Sequence, residues 1–250
     1  TLRAEQVELH RAVDANEARL QVLQKLRSSY EGYASGVRSL MLESPYAHLF
    51  QGVLGDLVDV GAEHARAVET ALGESLQALV STGHDGLVEA IDHLKETSGR
   101  AGIFALDWPG TPPQSAVLPD APGFMGPLID FVRPDAPITP LLQYLLYNTY
   151  LVRDLGTALN LAREHAHQPL RFVTPEGDAV DLYGLASGGK SEAEDATVLG
   201  RRREIRTLRS VIAHQHALDQ FEHPPAAVGK GESGGQVLGA VLLDSLDARQ

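Results

Sequence analysis

From Leu2 to Met41 the apolar residues recur at helical spacing, and neither proline nor glycine interrupts them before Gly32. Leu2, Leu9, Leu23, Tyr30 and Val37 form one series with a period of seven, broken by Asn16. Val13, Leu20, Ala34 and Met41 form a second, broken by Arg27. Two such series make a heptad seam, the pattern by which one helix buries a stripe against another. A lone amphipathic surface helix also fits the spacing. About forty residues at ~1.5 Å rise would span ~60 Å, longer than a small domain is wide, so the pattern predicts an arm with a helical partner.

Beyond residue 45 the texture changes to short alternating units. GVLGDLVDV predicts a strand entered through glycines, EHARAVETALGESL a helix, LQALVST a second strand, HDGLVEAIDHLKETSG a second helix and RAGIFALD a third strand. WPGTPPQSAVLPDAPGFMGP has no periodicity and predicts a surface loop between two lobes. The second lobe resumes at LIDFVRPD, and ITPLLQYLLYNTYLV predicts a helix running into a strand. RDLGTALNLAREHAH predicts a helix, and LRFVTPEGDAVDL two strands joined at Pro175-Glu176-Gly177. EAEDATVLGRRREIRTLRSVIAHQHALDQF is again helical, with Val198, Ile205, Leu208, Val211, Ile212, Leu218 and Phe221 on its apolar face. Strands alternating with helices imply an α/β or α+β layer, and the helices at its two ends can pair antiparallel.

Composition narrows the chemistry. The chain has 250 residues, 43% hydrophobic and 22% charged, enough for a packed core. A net charge of −12 excludes a nucleic-acid-binding surface spread over the whole molecule and confines any such contact to a local patch. Without cysteine there is no disulfide, thiolate zinc site or thiol catalysis, and a reducing, cytoplasmic setting is expected. The first twenty residues have the apolar core of neither a signal peptide nor a membrane span, and a start at Thr suggests a piece of a longer chain.

One motif could bind a nucleotide. Gly184 to Ser191, GLASGGKS, fits the phosphate-cradling pattern G-x-x-x-x-G-K-[ST], with Asp244 as a magnesium partner. A working loop of this type follows a buried apolar strand and opens an amphipathic helix. Here AVDL is short and half polar, and EAEDAT follows, whose acids would repel a triphosphate. A glycine turn that spells the pattern by chance is the preferred account. Near the carboxyl end, SGGQ and VLGAVLLD are reminiscent of an ABC-type signature and a magnesium-site strand, but they abut with no helix between them. A linker followed by one short apolar element accounts for them better.

Histidine pairs His165/His167 and His214/His216 sit two apart on predicted helices and point ~200° away from each other, so they read as solvated rather than as metal ligands. No G-x-S-x-G elbow occurs, and Glu192 and Glu194 stand in a polar run, so no catalytic constellation emerges. For nucleic acid the candidates are Lys95, Arg100, Arg153, Lys190 and the run Arg201-Arg202-Arg203. No aromatic residues are interleaved with them for base stacking.

Several stretches, in collinear order over residues 30–208, resemble the hinge region of structural maintenance of chromosomes (SMC) proteins of bacterial or archaeal type. YEGYASGVRSLM resembles the approach to the hinge. FQGVLGDLVDVGAEHARAVETALGESLQALV resembles its opening strand, helix and strand, and HLKETSGRAGIFALD the close of the first lobe. Residues 144–166 resemble the second lobe's strand and helix, LRFVTPEGDAVDLYGLASGG the closing segment, and VLGRRREI the start of the returning arm. The resemblance implies an α+β, two-lobed hinge with flanking antiparallel coiled-coil helices. Its parts would be an arm stub at 1–44, the hinge at 45–197 (lobes about 45–108 and 125–197), a returning arm at 198–223 and a tail at 224–250. It implies a homodimer whose interface holds Gly184, Gly188 and Gly189, where two backbones approach too closely for a Cβ.

The resemblance further implies a role in chromosome condensation and segregation at the nucleoid. Non-specific DNA contact near the dimer axis through the arginine triplet would go with that role. No enzyme activity or cofactor is expected in this fragment, since ATP and magnesium belong to head domains outside it, and the cysteine-free chain lacks the zinc hook of related coiled-coil ATPases. After VLGRRREI such a protein continues along a long arm, whereas Pro224-Pro225 stop any helix here. That departure fits either an unusual truncated end or a divergent relative.

Overall fold

The structure, a computed structural model, describes residues 2–108, 110–118, 121–134, 136–181, 184–189 and 198–222. The chain divides into two units, residues 1–212 and 213–250. Of the second, the helical residues 213–222 are the described part.

The expected rod stops early. Helix α1 (Leu2–Ser28) ends in a turn in which the Glu31 amide donates to Leu26 O (3.0 Å), with Tyr30 left-handed at φ 49° and Gly32 at φ 85°. That bond is the long closing link of a Schellman cap, and the left-handed residue redirects the chain. α2 (Ser35–Arg38) and a π-helical turn (Ser39–Glu43) then run into the first lobe, where Val37 and Leu40 are fully buried beside Phe50, Val53, Leu79, Ala90 and Leu94. The later members of the heptad series therefore belong to a globular core, because the turn at Tyr30 takes them off the rod.

The stretch expected to be one strand over 52–60 is two. β1 (Phe50–Val53) and β2 (Val58–Val60) are separated by a single helical turn, α3 (Leu54–Leu57). α4 (Ala65–Leu72), β3 (Leu79–Ser81), α5 (Leu87–Glu96) and β4 (Ile103–Ala105) follow as expected. The end of the supposed interlobe loop is already structured as β5 (Phe124–Pro127). β6 (Val132–Pro134), α6 (Thr139–Leu145), β7 (Thr149–Val152), α7 (Leu155–Glu164), β8 (Arg171–Val173), β9 (Ala179–Val180), β10 (Ala186–Ser187) and α8 (Val198–Glu222) follow among the described residues.

The two lobes repeat one plan. In the first sheet β1 pairs antiparallel with β3, which pairs parallel with β4; in the second β5 pairs antiparallel with β7, which pairs parallel with β8. FQGVLGDLVDV and FMGPLIDFVRP share Phe, Gly, Leu, Asp and Val at equivalent positions: 50 and 124, 52 and 126, 54 and 128, 56 and 130, 58 and 132. Both β1 and β5 carry an irregularity between Phe and Gly, and the glycines, Gly52 at φ 143° and Gly126 at φ 129°, adopt angles closed to a residue with a Cβ. β2 and β6 then pair antiparallel, with Val58 opposite Pro134, Asp59 opposite Arg133 and Val60 opposite Val132. This register is symmetric about the equivalent residues Asp59 and Arg133, so a local two-fold relates the lobes.

The apolar positions follow the same symmetry. A central core joins Leu54, Val58, Val68 and Leu72 of the first lobe to Leu128, Val132, Leu142, Leu146 and Leu151 of the second, and each lobe keeps its own outer core. The segment Ser115–Leu118 is pinned to the second lobe. The Ala116 amide donates to Asn148 Oδ1 (2.8 Å), and Tyr150 Oη donates to Ala116 O (2.5 Å). Asn148 is left-handed at φ 53°, a conformation that asparagine tolerates better than bulkier residues.

Candidate dimer interface

The repeat breaks at one place. In the second lobe the outer edge of β8 is covered by β9 and β10, giving the order β10-β9-β8-β7-β5, whereas β4, the equivalent strand of the first lobe, is an edge. Leu79 N–H donates to Gly102 O (2.9 Å) and Leu106 N–H to Ser81 O (3.1 Å), which directs residues 102, 104 and 106 toward β3. By the alternation of a strand, the amides of Ile103 and Ala105 face outward. Beside them lies a cleft of about 390 Å³ lined by Phe104, Leu106, Trp108, Pro140, Leu141 and Tyr144, with Trp108 77% exposed.

The second open edge is β10, in the middle of GLASGGKS. Asp181 N–H donates to Leu185 O (2.9 Å), and Ala186 stands opposite Val180 with Ser187 opposite Ala179. Residues 185 and 187 thus face β9, while the amide and carbonyl of Ala186 point outward. Leu185, immediately before β10, is 66% exposed. Lys190 and Ser191 lie outside the described residues, but Ala186–Ser187 already bears on the phosphate-loop alternative. Amides along an extended strand point alternately to opposite sides and do not converge on an anion as a phosphate-binding nest requires.

The three glycines are not equivalent. Gly184 at φ 75° closes a turn onto Asp181 O (3.0 Å), and Gly189 at φ 124° accepts from Arg66 Nη2 (3.2 Å); both have open space where a Cβ would stand. Gly188 lies against its own chain, where a Cβ would displace the Asp178 carboxylate.

Past β4, Asp107 fixes the strand's exit by accepting from the His84 backbone amide (3.2 Å) and pairing with His84 Nδ1 (2.5 Å). The hydrogen bond that His84 donates to Asp107 raises the imidazole above its ordinary value, and the same bond lowers the Asp107 carboxyl. Asp107 and His84 had no signal in the sequence, because their loops meet only once β3 and β4 are side by side.

The basic candidates do not form one patch with one role. Arg201 Nη1 donates to Glu31 O (2.9 Å) and its guanidinium lies 5.7 Å from the Tyr33 ring centroid, so it staples α8 to the turn after α1. Arg202 and Arg203 are half-buried on the same helix. Lys95 is exposed and paired with Asp92 (2.6 Å), Arg153 is exposed and paired with Asp154 (2.8 Å), and Arg100 is exposed. Arg19 Nε meets Glu204 Oε1 at 2.8 Å while Arg201 meets Glu31, so α1 and α8 run antiparallel. His165 and His167 line a cavity of about 640 Å³ with Arg163 and Asp181, and no group of three or more metal-ligating side chains occurs among the described residues. No helix among them is long and apolar enough to cross a membrane.

Comparison with known proteins places the fold in a family. The profile of the SMC proteins flexible hinge domain matches residues 47–162. The chromosome partition protein Smc of Desulfitobacterium hafniense is 34% identical over 209 residues, covering 81% of this chain and 17% of the relative. That of Myxococcus xanthus is 31% identical over 215 residues, covering 84% and 18%. The chain thus spans less than a fifth of the length of these relatives. The crystal structure of an asymmetric dimer of the Geobacillus stearothermophilus SMC hinge domain superposes with a TM-score of 0.75 at 26% identity, covering 88% of this chain and 90% of that one. The hinge-domain profile over residues 47–162, a relative 34% identical over 81% of this chain and a solved SMC hinge superposing over 88% of it show that the chain belongs to the SMC family and comprises its hinge region.

Proposed function

We propose that this chain joins two copies of a longer SMC protein by strand exchange at two symmetric edges. β10 of each protomer adds to β4 of the other, and Leu185 enters the cleft beside Phe104 and Trp108. The observation that carries the reading is the break in the repeat: β4 lies bare where its equivalent, β8, is covered by a hairpin. A partner's strand would complete the first sheet as β9 completes the second. The dimeric state of the Geobacillus stearothermophilus hinge supports the same reading. Gly184 and Gly189 keep the approach to β10 free of side chains, and Gly188 shapes the turn from within.

In the whole protein this junction would unite two arms for chromosome partition at the nucleoid, with ATP and magnesium handled by parts outside this chain. DNA contact at the hinge would fall to Lys95, Arg100 and Arg153, and to Lys190, with Arg202 and Arg203 contributing only from half-buried positions. It would be sequence-independent and salt-dependent. Sedimentation equilibrium tests the junction. The parent chain is expected to be a dimer and Leu185→Glu a folded monomer; a parent monomer, or a dimer indifferent to Leu185→Glu, overturns the reading. Nucleotide binding abolished by Lys190→Ala would revive the phosphate-loop alternative.

A further inference from the structure

Both arm helices make charged contacts with one short segment of the first lobe. Arg27 of α1 pairs with Asp56 Oδ1 (3.2 Å), and Tyr33 Oη donates to Asp56 Oδ2 (3.3 Å). The Asp56 side chain is only 10% exposed, and burial, with the Asp56 charge beside it, raises the Tyr33 phenol well above its ordinary value. Three residues on, Asp59 of β2 pairs with Arg206 of α8. Each arm helix thus places an arginine on the segment Asp56–Asp59, the Arg19–Glu204 pair links the two helices, and Arg201 ties α8 to the turn after α1.

The internal repeat shows that this arrangement is a property of the arms rather than of the motif. Asp130, the equivalent of Asp56, is exposed, and Arg133, the equivalent of Asp59, has the opposite charge. The second lobe carries the same fold without the acidic seat.

We infer that Asp56 and Asp59 form a two-point ionic clamp that fixes the direction of the arm pair on the first lobe, and that releasing it frees the arms to swing about the left-handed turn at Tyr30–Gly32. On the α1 side the pivot is this turn, which follows the end of α1 at Ser28 and is seated on the first lobe by Tyr33; on the α8 side it is the foot of the helix, where Leu199 packs in the central core. In the turn Tyr30 and Gly32 both have positive φ, and the Arg201 contacts to Glu31 and Tyr33 grip it. The clamp is partly accessible to solvent, since Arg206 is 54% exposed. Ionic strength therefore acts on it, as the screening length shrinks from ~10 Å at ~0.1 M salt to ~3 Å at ~1 M.

The test uses the full chain, whose lack of cysteine allows two spin labels to be placed without background. Val22→Cys on α1 and Glu74→Cys on the first lobe are both at exposed positions, and labelled chain is diluted with unlabelled so that only intrachain distances are read. The parent is expected to give one narrow distance distribution. Arg27→Gln with Arg206→Gln should broaden it, as should raised salt, while Asp130→Asn should leave it unchanged. Asp56→Asn reports the same contact from the lobe side, and the arginine variants, altered on the arms, decide the matter if that buried change unfolds the lobe. An unchanged distribution in the double arginine variant overturns the proposal, as does equal broadening by Asp130→Asn. Sedimentation of the same samples separates arm release from dimer loss, because a freed arm leaves the mass of the dimer intact.

Discussion

Ala186→Pro removes one outward amide and nothing else that the lobe uses. The Asp181–Leu185 bond sets the register so that Ala186 faces away from β9, and proline is tolerated on an edge strand where its missing N–H would have faced solvent. The monomer should therefore keep its stability. In the proposed dimer each β10 would lose one bond to the partner's β4, worth ~0.5–1.5 kcal/mol, and the two-fold doubles this to ~1–3 kcal/mol. At ~1.4 kcal/mol per decade, the dimer Kd should rise by about 5- to 150-fold. Sedimentation equilibrium across a concentration series measures the change, and thermal unfolding of the monomeric fraction checks the fold. Ser187→Pro is the internal control, because the Ser187 amide faces β9 and its loss should damage the second lobe itself. A Ala186→Pro chain with unchanged Kd and an intact fold would refute the strand-exchange geometry.

Other consequences can be measured separately. Gly36→Ala should destabilise the fold by about 2–3 kcal/mol in denaturant titration, since a Cβ there would lie 2.5 Å from the Arg100 carbonyl, with backbone rather than a flexible side chain in the way. Asn148→Ala should cost about 2–3 kcal/mol, because it leaves the Ala116 amide without its acceptor and puts alanine in a left-handed conformation. His84 should titrate by NMR above 6.5, and Asp107→Asn should return it toward that value. Asp154 caps α7 by accepting from the Thr157 amide (2.8 Å), and the Thr157 bonds and Arg153 hold its carboxyl down to about 2. Its contribution is therefore complete above the unfolded value of 3.8 and is lost as pH falls through about 2, an acid-side loss in the unfolding midpoint that Asp154→Asn should abolish.

Much of the architecture could be read in one dimension. Helices α4, α5 and α7 and strands β3, β4 and β8 follow from short-range periodicity, because each is amphipathic or apolar over its own length. The Pro175–Gly177 turn declared its hairpin. The break at Tyr30 escaped, since the heptad spacing continues through it and a tyrosine gives no warning of a positive φ. The split of β1 from β2 escaped for a related reason: a single helical turn, Leu54–Leu57, changes which face each residue shows without altering the alternation of glycines and apolar residues. The shared F-x-G-x-L-x-D-x-V pattern at residues 50–58 and 124–132 is a signal that could have found both the split and β5.

The sequence by itself determined a cysteine-free α+β chain with helices at both ends and a glycine-rich segment near the close of its second lobe, because composition and local periodicity are properties of neighbouring residues. Which edges lie open, what Gly188 touches, where Arg201 points and why Asp56 differs from Asp130 were decided only by the tertiary structure. Each depends on segments from about ten to more than a hundred residues apart meeting in a particular register, and a lone residue on an edge or a helix carries no mark of the partner that packing will bring to it.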